Sequence, residues 1–426
     1  VFTRFLDFLA DRTGNIALSF ALMSVPVVAS IGGALDYTRT YTIGAEMQGA
    51  IDTGVLAAAS LSQTRDPEEV VRAYIAAAIA EHNGTIENLV VTVTPNVALN
   101  ARNVHAQADL SVPTLLLGII GIGKLDMTRE SEATEQIQKL EISLVLDISG
   151  SMSGSKIEAL REAATEFIEV VLVGGTHDLT SLSVIPYNGG VRLPDYVNAQ
   201  LVAGGAETAE RSGCPEYGED HPTAINPPAN GLNWLEWRGR EQRDNRNSAF
   251  CPERDEASVF LRNNRADLQA LVASLDAGGN TGLDVATTWG ARALDPSWRG
   301  RLGGEFSDRP VDYDDPSTIK ALVVMTDGAA TAQIRNAWDE DDDRWRNYNL
   351  YSAATARDNM AAACDAAEAR GVEIYTIAFQ LSGSTNRALM RNCASHPDNY
   401  FEVEDMDIAL AFSAIAADLN SLRLSR

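Results

Sequence analysis

From Leu140 onward the chain repeats one pattern: a near-continuous apolar run, a stretch of helical periodicity, then another apolar run. The runs are LEISLVLDIS (140–149), LTSLSVIPY (179–187), IKALVVMTD (319–327) and VEIYTIAFQ (372–380). Between them, KIEALREAATEFIEVVL (156–172) sets Ile157, Leu160, Ala164, Phe167 and Val171 on one helical face. Residues 264–275, 282–294, 351–370 and 405–422 also read as helices. A strand without polar alternation is buried on both faces, so helices must cover both sides of the sheet it belongs to. The pattern predicts an α/β fold, a doubly wound, mostly parallel sheet that binds ligands at the carboxyl ends of its strands.

Two regions precede this domain. Residues 1–61 read as a membrane anchor running on into a helical stalk. Thr13–Leu35 carries no charge, and as a helix it matches a hydrocarbon core of about 30 Å. Arg4 and Arg12 before the span and Asp36 after it place the bulk of the chain outside the cytoplasm. A cleaved signal peptide, with Val28 and Ser30 as small residues before the cut, is the competing reading. Helical spacing continuing through Tyr37, Tyr41, Met47, Ile51, Val55 and Ala58 favours an uncleaved anchor, with a kink at Pro26. Residues 62–138 read as a small α+β region: a helix in DPEEVVRAYIAAAIAEH, then strands in LVVTVTP, in VHAQADLSVP and before Ser131. The nine-residue run LLLGIIGIG (115–123) is too short to span a bilayer and is expected against the stalk or lipid headgroups. Residues 139–426 form the α/β domain, interrupted at about 187–258 by a Pro-, Gly- and Asn-rich insertion holding Trp234 and Trp237.

Charge and cysteine usage narrow the function. With 34 basic against 59 acidic residues the chain carries a formal charge of -25, which disfavours nucleic acid and anionic lipid and favours cations and basic partners. His82, His105, His177, His221 and His396 lie far apart, and no cysteine pair has zinc-ligand spacing. Outside the cytoplasm the four cysteines suggest two disulfides, most simply Cys214–Cys251 and Cys364–Cys393, the alternative being four buried thiols. No Ser/His/Asp or Cys/His set has the context a hydrolase needs, and no GxxxxGK[ST] loop is present, so a non-enzyme is expected.

Oxygen donors gather at three loops. Asp147-Ile148-Ser149-Gly150-Ser151 ends the first apolar run, and an extended loop would throw positions 147, 149 and 151 to one side. Thr326-Asp327-Gly328 ends another run, and Gly278-Gly279-Asn280-Thr281 opens a helix with a hydroxyl. Carboxylates and hydroxyls are hard ligands suited to magnesium or manganese. A DxSxS string alone is weak; its place at a strand-to-helix turn, with two more loops from the same edge, makes it specific. The acidic run Asp339-Glu340-Asp341-Asp342-Asp343 and the group Asp312, Asp314 and Asp315 are more ordinary as solvated loops than as calcium sites.

These residues resemble the von Willebrand factor A family and its metal-ion-dependent adhesion site, with Asp147, Ser149, Ser151, Thr281 and Asp327 at the five matching positions. The resemblance implies a bound Mg²⁺ (Mn²⁺ or Ca²⁺ as alternatives) whose remaining position takes a carboxylate from a protein partner or surface ligand. A second resemblance covers nearly the whole chain. Arg12-Thr13-Gly14-Asn15-Ile16-Ala17, then Gly33-Ala34-Leu35-Asp36-Tyr37, Trp289-Gly290, Pro296-Ser297-Trp298 and Arg391-Asn392-Cys393 are similar to TadG-like proteins of the tight-adherence (Flp) pilus system. It implies a bacterial inner-membrane protein with its bulk in the periplasm or on the pilus, acting as a pilus-associated adhesion or assembly subunit, with pilin-like first regions. The alternative it implies is an assembly factor that stays out of the filament and holds another secretion subunit. Ser19 stands where pilins carry glutamate after the cleavage glycine, so prepilin processing is not implied.

Overall fold

The computed structural model describes residues 15–80, 82, 85–97, 100–172, 178–201, 213–216, 225, 233–234, 251–339, 341–342 and 344–425. Arg4, Arg12 to Gly14, His177, His221, Trp237, Glu340 and Asp343, and most of the 187–258 insertion, lie outside the described residues. The chain divides into two compact units, residues 1–137 and 138–426.

The first unit consists of helices α1 (Asn15–Ala59) and α2 (Pro67–Ala80) and strands β1 (Glu87–Val97), β2 (Ala101–Pro113) and β3 (Lys124–Gln136). The strands form an antiparallel sheet in the order β1-β2-β3. Alternate residues of β2, from Val104 through Ala106, Ala108 and Leu110 to Val112, are buried in one cluster with Ile43, Met47, Ile51, Val55 and Ala58 of α1 and Val71 and Ile75 of α2. The expected boundary at 61/62 therefore does not separate compact units: the C-terminal half of α1 is the cover this one-faced sheet requires. The buried stripe of α1 also differs from the expected one. Tyr37 and Tyr41 point outward and stack on each other, while Asp36, Thr40 and Ile43 lie inward. Steps of three and four residues run from 36 through 40, 43, 47, 51, 55 and 58, a better helical stripe than one begun on the tyrosines. The helix continues through Pro26.

The second unit begins with β4 (Lys139–Asp147), α3 (Ser155–Val171), β5 (Thr180–Tyr187) and α4 (Asp195–Leu201). Short strands β6 (Pro215–Glu216) and β7 (Asn233–Trp234) pair within the insertion, and β8 (Val259–Arg262) leads out of it. Then follow α5 (Arg265–Ser274), α6 (Leu283–Arg292), β9 (Thr318–Thr326), a hairpin of β10 (Gln333–Asp339) and β11 (Arg344–Tyr351), α7 (Ala353–Glu368), β12 (Glu373–Phe379), α8 (Ser384–Cys393), β13 (Tyr400–Val403) and α9 (Ile408–Ser425). The hairpin, α8 and β13 have no counterpart in the sequence reading; each is short or carries too much polarity for periodicity to reveal it.

The main sheet has the order β13-β12-β9-β4-β5-β8, parallel throughout except for the antiparallel edge strand β8. One face packs on α3, α5 and α9, the other on α6, α7 and α8, so the expected doubly wound α/β sheet is observed. Gly290 lets α6 lie close to the sheet, since a Cβ there would fall 2.6 Å from Leu322 and 2.7 Å from Val145 side-chain atoms. Both disulfides form, Cys214–Cys251 within the insertion and Cys364–Cys393 between α7 and α8. Ile225 pins the insertion to the core: it is buried, and its carbonyl accepts from Trp298 Nε1 at 2.8 Å.

Candidate metal centre

Strand order reverses between β4 and β9: the chain leaves β4 for β5 on one side and returns at β9 on the other. Connections from the carboxyl ends of those two strands diverge and leave a crevice. Asp147, the last residue of β4, and Asp327, the first after β9, stand at this crevice.

Backbone hydrogen bonds stitch the surrounding loops together. Ile148 N donates to Tyr187 O at 2.8 Å, Gly278 N to Ile148 O at 2.8 Å, and Gly150 N to Gly279 O at 3.0 Å. The Thr281 loop is clamped by Thr331, whose Oγ1 accepts from Thr281 N at 3.1 Å and whose own N donates to Thr281 O at 3.0 Å.

All five candidate residues come to this edge. Ser149 Oγ and Ser151 Oγ are 3.0 Å apart, and Ser151 Oγ donates to Asp327 Oδ1 at 2.5 Å. The hydroxyls of Ser151 and Thr281 each lie 3.2 Å from the point where a Cβ on Gly328 would stand, so the missing side chain leaves space that both oxygens face. Asp147 is wholly buried; its Oδ1 accepts from Ser149 N at 2.8 Å and its Oδ2 from Thr326 Oγ1 at 2.6 Å. One expectation is corrected: the DxSxS loop is not extended throughout, since Gly150–Met152 forms a 3-10 turn. Asp147 folds the loop back by accepting the Ser149 N–H, and the two serine hydroxyls stay together although the backbone leaves the extended conformation.

The electrostatics are those of an acidic pair short of cations. Burial first, and the charge of Asp327 second, push the Asp147 carboxyl up to about 6. Lys156 Nζ lies 2.6 Å from Asp327 Oδ2, while the Asp147 carboxylate accepts from Ser149 N and Thr326 Oγ1. Sequence reasoning named Thr326 without assigning it a role, and it missed Thr331 and this lysine. The available signal was its position: a lysine in the first turn of a helix opposes the helix dipole and needs a specific acidic partner. Two carboxylates and three hydroxyls fit a hard divalent ion. Ser149, Ser151 and Thr281 would supply neutral oxygens, with Asp147 and Asp327 supplying charge.

Three of the other acidic groups have local partners. Asp342 pairs with Arg346 across the β10–β11 turn, Asp312 with Arg299 at 2.7 Å, and Asp315 caps Ser317 and Thr318. Among the described residues no group of three or more His, Cys, Asp or Glu side chains is placed to hold an ion. That leaves the hydroxyl-rich edge as the candidate.

The sheet is doubly wound, with DxSxS ending one of its two central strands, an aspartate after the other and a threonine loop beside them. At the opposite end of the chain, residues 14–61 match the family model described as putative Flp pilus-assembly TadE/G-like. No curated protein matches the chain. Among solved structures it is similar to the pilus adhesin SpaC of Lactobacillus rhamnosus GG in its open conformation, at 13% identity and a TM-score of 0.38 over 78% of this chain and 33% of that one. It is also similar to the vWF domain of the type V pili tip protein Mfa5 of Porphyromonas gingivalis, at 10% identity and a TM-score of 0.41 over 68% and 97% of the two chains. The pilus adhesin RrgA of Streptococcus pneumoniae is similar at 10% identity and a TM-score of 0.39, over 78% of this chain and 49% of that one. The chain thus spans about a third of SpaC's length and about half of RrgA's.

Proposed function

We propose that this protein is a membrane-anchored adhesion or assembly subunit of a tight-adherence pilus, and that its A-type domain binds a carboxylate-bearing partner through a divalent ion. The observation that carries the proposal is the convergence of Ser149, Ser151, Thr281, Asp147 and Asp327 at the strand-order reversal, with Asp147 driven up beside Asp327. Mg²⁺ is the favoured ion, with Mn²⁺ or Ca²⁺ as alternatives. Bound there, it would supply Lewis acidity toward an incoming carboxylate. The residues themselves hold the hydroxyls in register: Asp147 orients the Ser149 turn, Thr326 orients Asp147, and Thr331 fixes the Thr281 loop.

The N-terminal match and the apolar helix support the pilus and membrane parts of the proposal. Among the described residues α1 contains the one candidate span, long and apolar enough to cross a membrane by length and composition. The domain would then stand on the periplasmic side of the inner membrane, or on the filament.

Shearing filaments from cells and probing washed filament and membrane fractions, with and without EDTA, tests this. Filament-borne protein with EDTA-sensitive attachment is expected, and Asp147→Ala is expected to abolish attachment while the protein still accumulates. Attachment unchanged in that variant would overturn the metal-dependent role. Confinement to the membrane fraction would make the protein an assembly factor that uses the same site on another secretion subunit.

A further inference from the structure

The exposed apolar surface of α1 does not end with its uncharged span. Phe20, Leu22, Met23, Val25, Val27 and Ile31 are each more than half exposed around the helix. The same character continues on the loop between β2 and β3, where Leu115 and Ile119 are 70% and 72% exposed and Ile120 and Ile122 are 46% and 43% exposed. Large aliphatic side chains gathered on one loop mark a surface that is covered in use.

The loop is fastened at one height on the helix. Both carboxylate oxygens of Asp36 accept from it, from Leu115 N at 2.8 Å, Leu116 N at 2.9 Å and Leu117 N at 2.8 Å. Arg39 Nη1 donates to Pro113 O at 3.2 Å, and Thr114 N closes the loop on Gly123 O at 3.0 Å. Leu116 sits so close to the helix that a Cβ on Gly32 would lie 2.5 Å from its own Cβ. Every one of these helix contacts falls between Gly32 and Arg39, across the end of the uncharged stretch. From Asn15 to Leu35 the helix rises roughly 32 Å at about 1.5 Å per residue, slightly more than a hydrocarbon core of about 30 Å. The loop is therefore level with the boundary between acyl chains and headgroups. No charge lies between Pro113 and Lys124, and half-exposed Lys124 at the loop's end has the length to reach headgroup oxygens.

We propose that the 114–123 loop is a second membrane contact, inserting into the headgroup boundary of the bilayer beside α1. Its occupant is lipid, because its apolar surface is continuous with that of the span and is held at the span's end. The inference rests on reading α1 as membrane-spanning. The second contact would fix the height and rotation of the first unit on the bilayer, which a single helix leaves free.

No native cysteine is free, so a single introduced cysteine can be labelled selectively with an environment-sensitive fluorophore. The full chain carrying Ile119→Cys, Val27→Cys or Val97→Cys is placed in phosphatidylcholine vesicles. Each label is then exposed to lipids bearing a doxyl quencher near the headgroup and to aqueous iodide. The labels at 119 and 27 are expected to be quenched severalfold more by doxyl lipid than by iodide. Val97, at the far end of the β1–β2 hairpin, is expected to show the reverse. If 119 behaves like 97 while 27 is quenched by lipid, the loop proposal fails and the span stands. If neither 119 nor 27 is quenched by lipid, the span reading fails and takes the proposal with it. Shielding of 119 from both quenchers, with cross-linking between copies, would make a second copy the occupant and also overturn the proposal.

Discussion

The two sheets of this protein solve opposite burial problems. In the first unit β2 alternates buried with half-buried positions and β3 alternates half-buried with exposed ones, so the sheet has one covered face and one wet face. In the second unit β4, β5 and β9 are buried along almost their whole length. A one-faced sheet can present polar groups anywhere on its outer side. In this doubly covered sheet the buried charged groups of β4 and β9 stand near the strand ends, where each must find a partner.

The two ends of β4 answer that demand differently. Near its amino end Glu141 is buried against Lys320, with Lys320 Nζ 2.5 Å from Glu141 Oε2 and also donating to Leu294 O at 2.9 Å. That pair is internally neutral. At the carboxyl end Lys156 pairs with Asp327, and burial first, the Asp327 charge second, raise Asp147. The first end is balanced within the fold; the second is where the proposed cation would add the missing charge.

Core truncation should separate the sheets most sharply. Leu144→Ala in the doubly covered sheet is expected to cost about 2–5 kcal/mol in urea unfolding. Val90→Thr, on the wet face of the other sheet, should stay within about 0.5 kcal/mol. Equal effects would break the contrast. Next in size is the Cys364–Cys393 bridge, which closes a 29-residue separation between α7 and α8. Replacing both cysteines by alanine should cost about 3–4 kcal/mol in the chain-entropy account, measured by the same unfolding.

A pH series sharpens the contrast between the two ends of β4. A carboxyl raised in the folded state, from 3.8 to about 6 for Asp147, keeps a proton that the unfolded chain has lost. Stability from this group therefore falls as pH rises from about 4 to about 6. In EDTA, Asp147→Asn should become progressively more stable than wild type across that window, read as a difference in Tm. A constant difference would mean that Asp147 does not titrate there. Smallest is Lys156→Gln, which removes the intrinsic cation. Divalent binding should tighten by about 0.5–1 kcal/mol, roughly two- to fivefold, in calorimetry.

Much of this was legible in the sequence, for reasons that differ by region. Continuous apolar runs announced β4, β5, β9 and β12 because double burial leaves no polar alternation to confuse them. Four of the five candidate residues were legible because they stand where an apolar run ends, and Thr281 because its loop opens a helix. The roles of Lys156, Thr326 and Thr331 were not, since each acts through a contact that no spacing encodes: Lys156 reaches Asp327 across 171 positions, and Thr326 reaches Asp147 across 179. The stripe on α1 was misplaced by one residue at Tyr37 because an aspartate on a buried face reads as an error. Only the three N–H groups of the 115–117 turn, brought in from 79 to 81 positions away, make Asp36 acceptable there.

The most direct test of the central claim is calorimetric titration of Mg²⁺ and Mn²⁺ into the EDTA-stripped, detergent-solubilised full chain, wild type against Asp147→Ala. Wild type should show one saturable site and the variant none, with unchanged far-UV circular dichroism. Equal binding by both proteins, or no binding by a folded wild type, would contradict the assignment of a metal centre to the β4–β9 crevice.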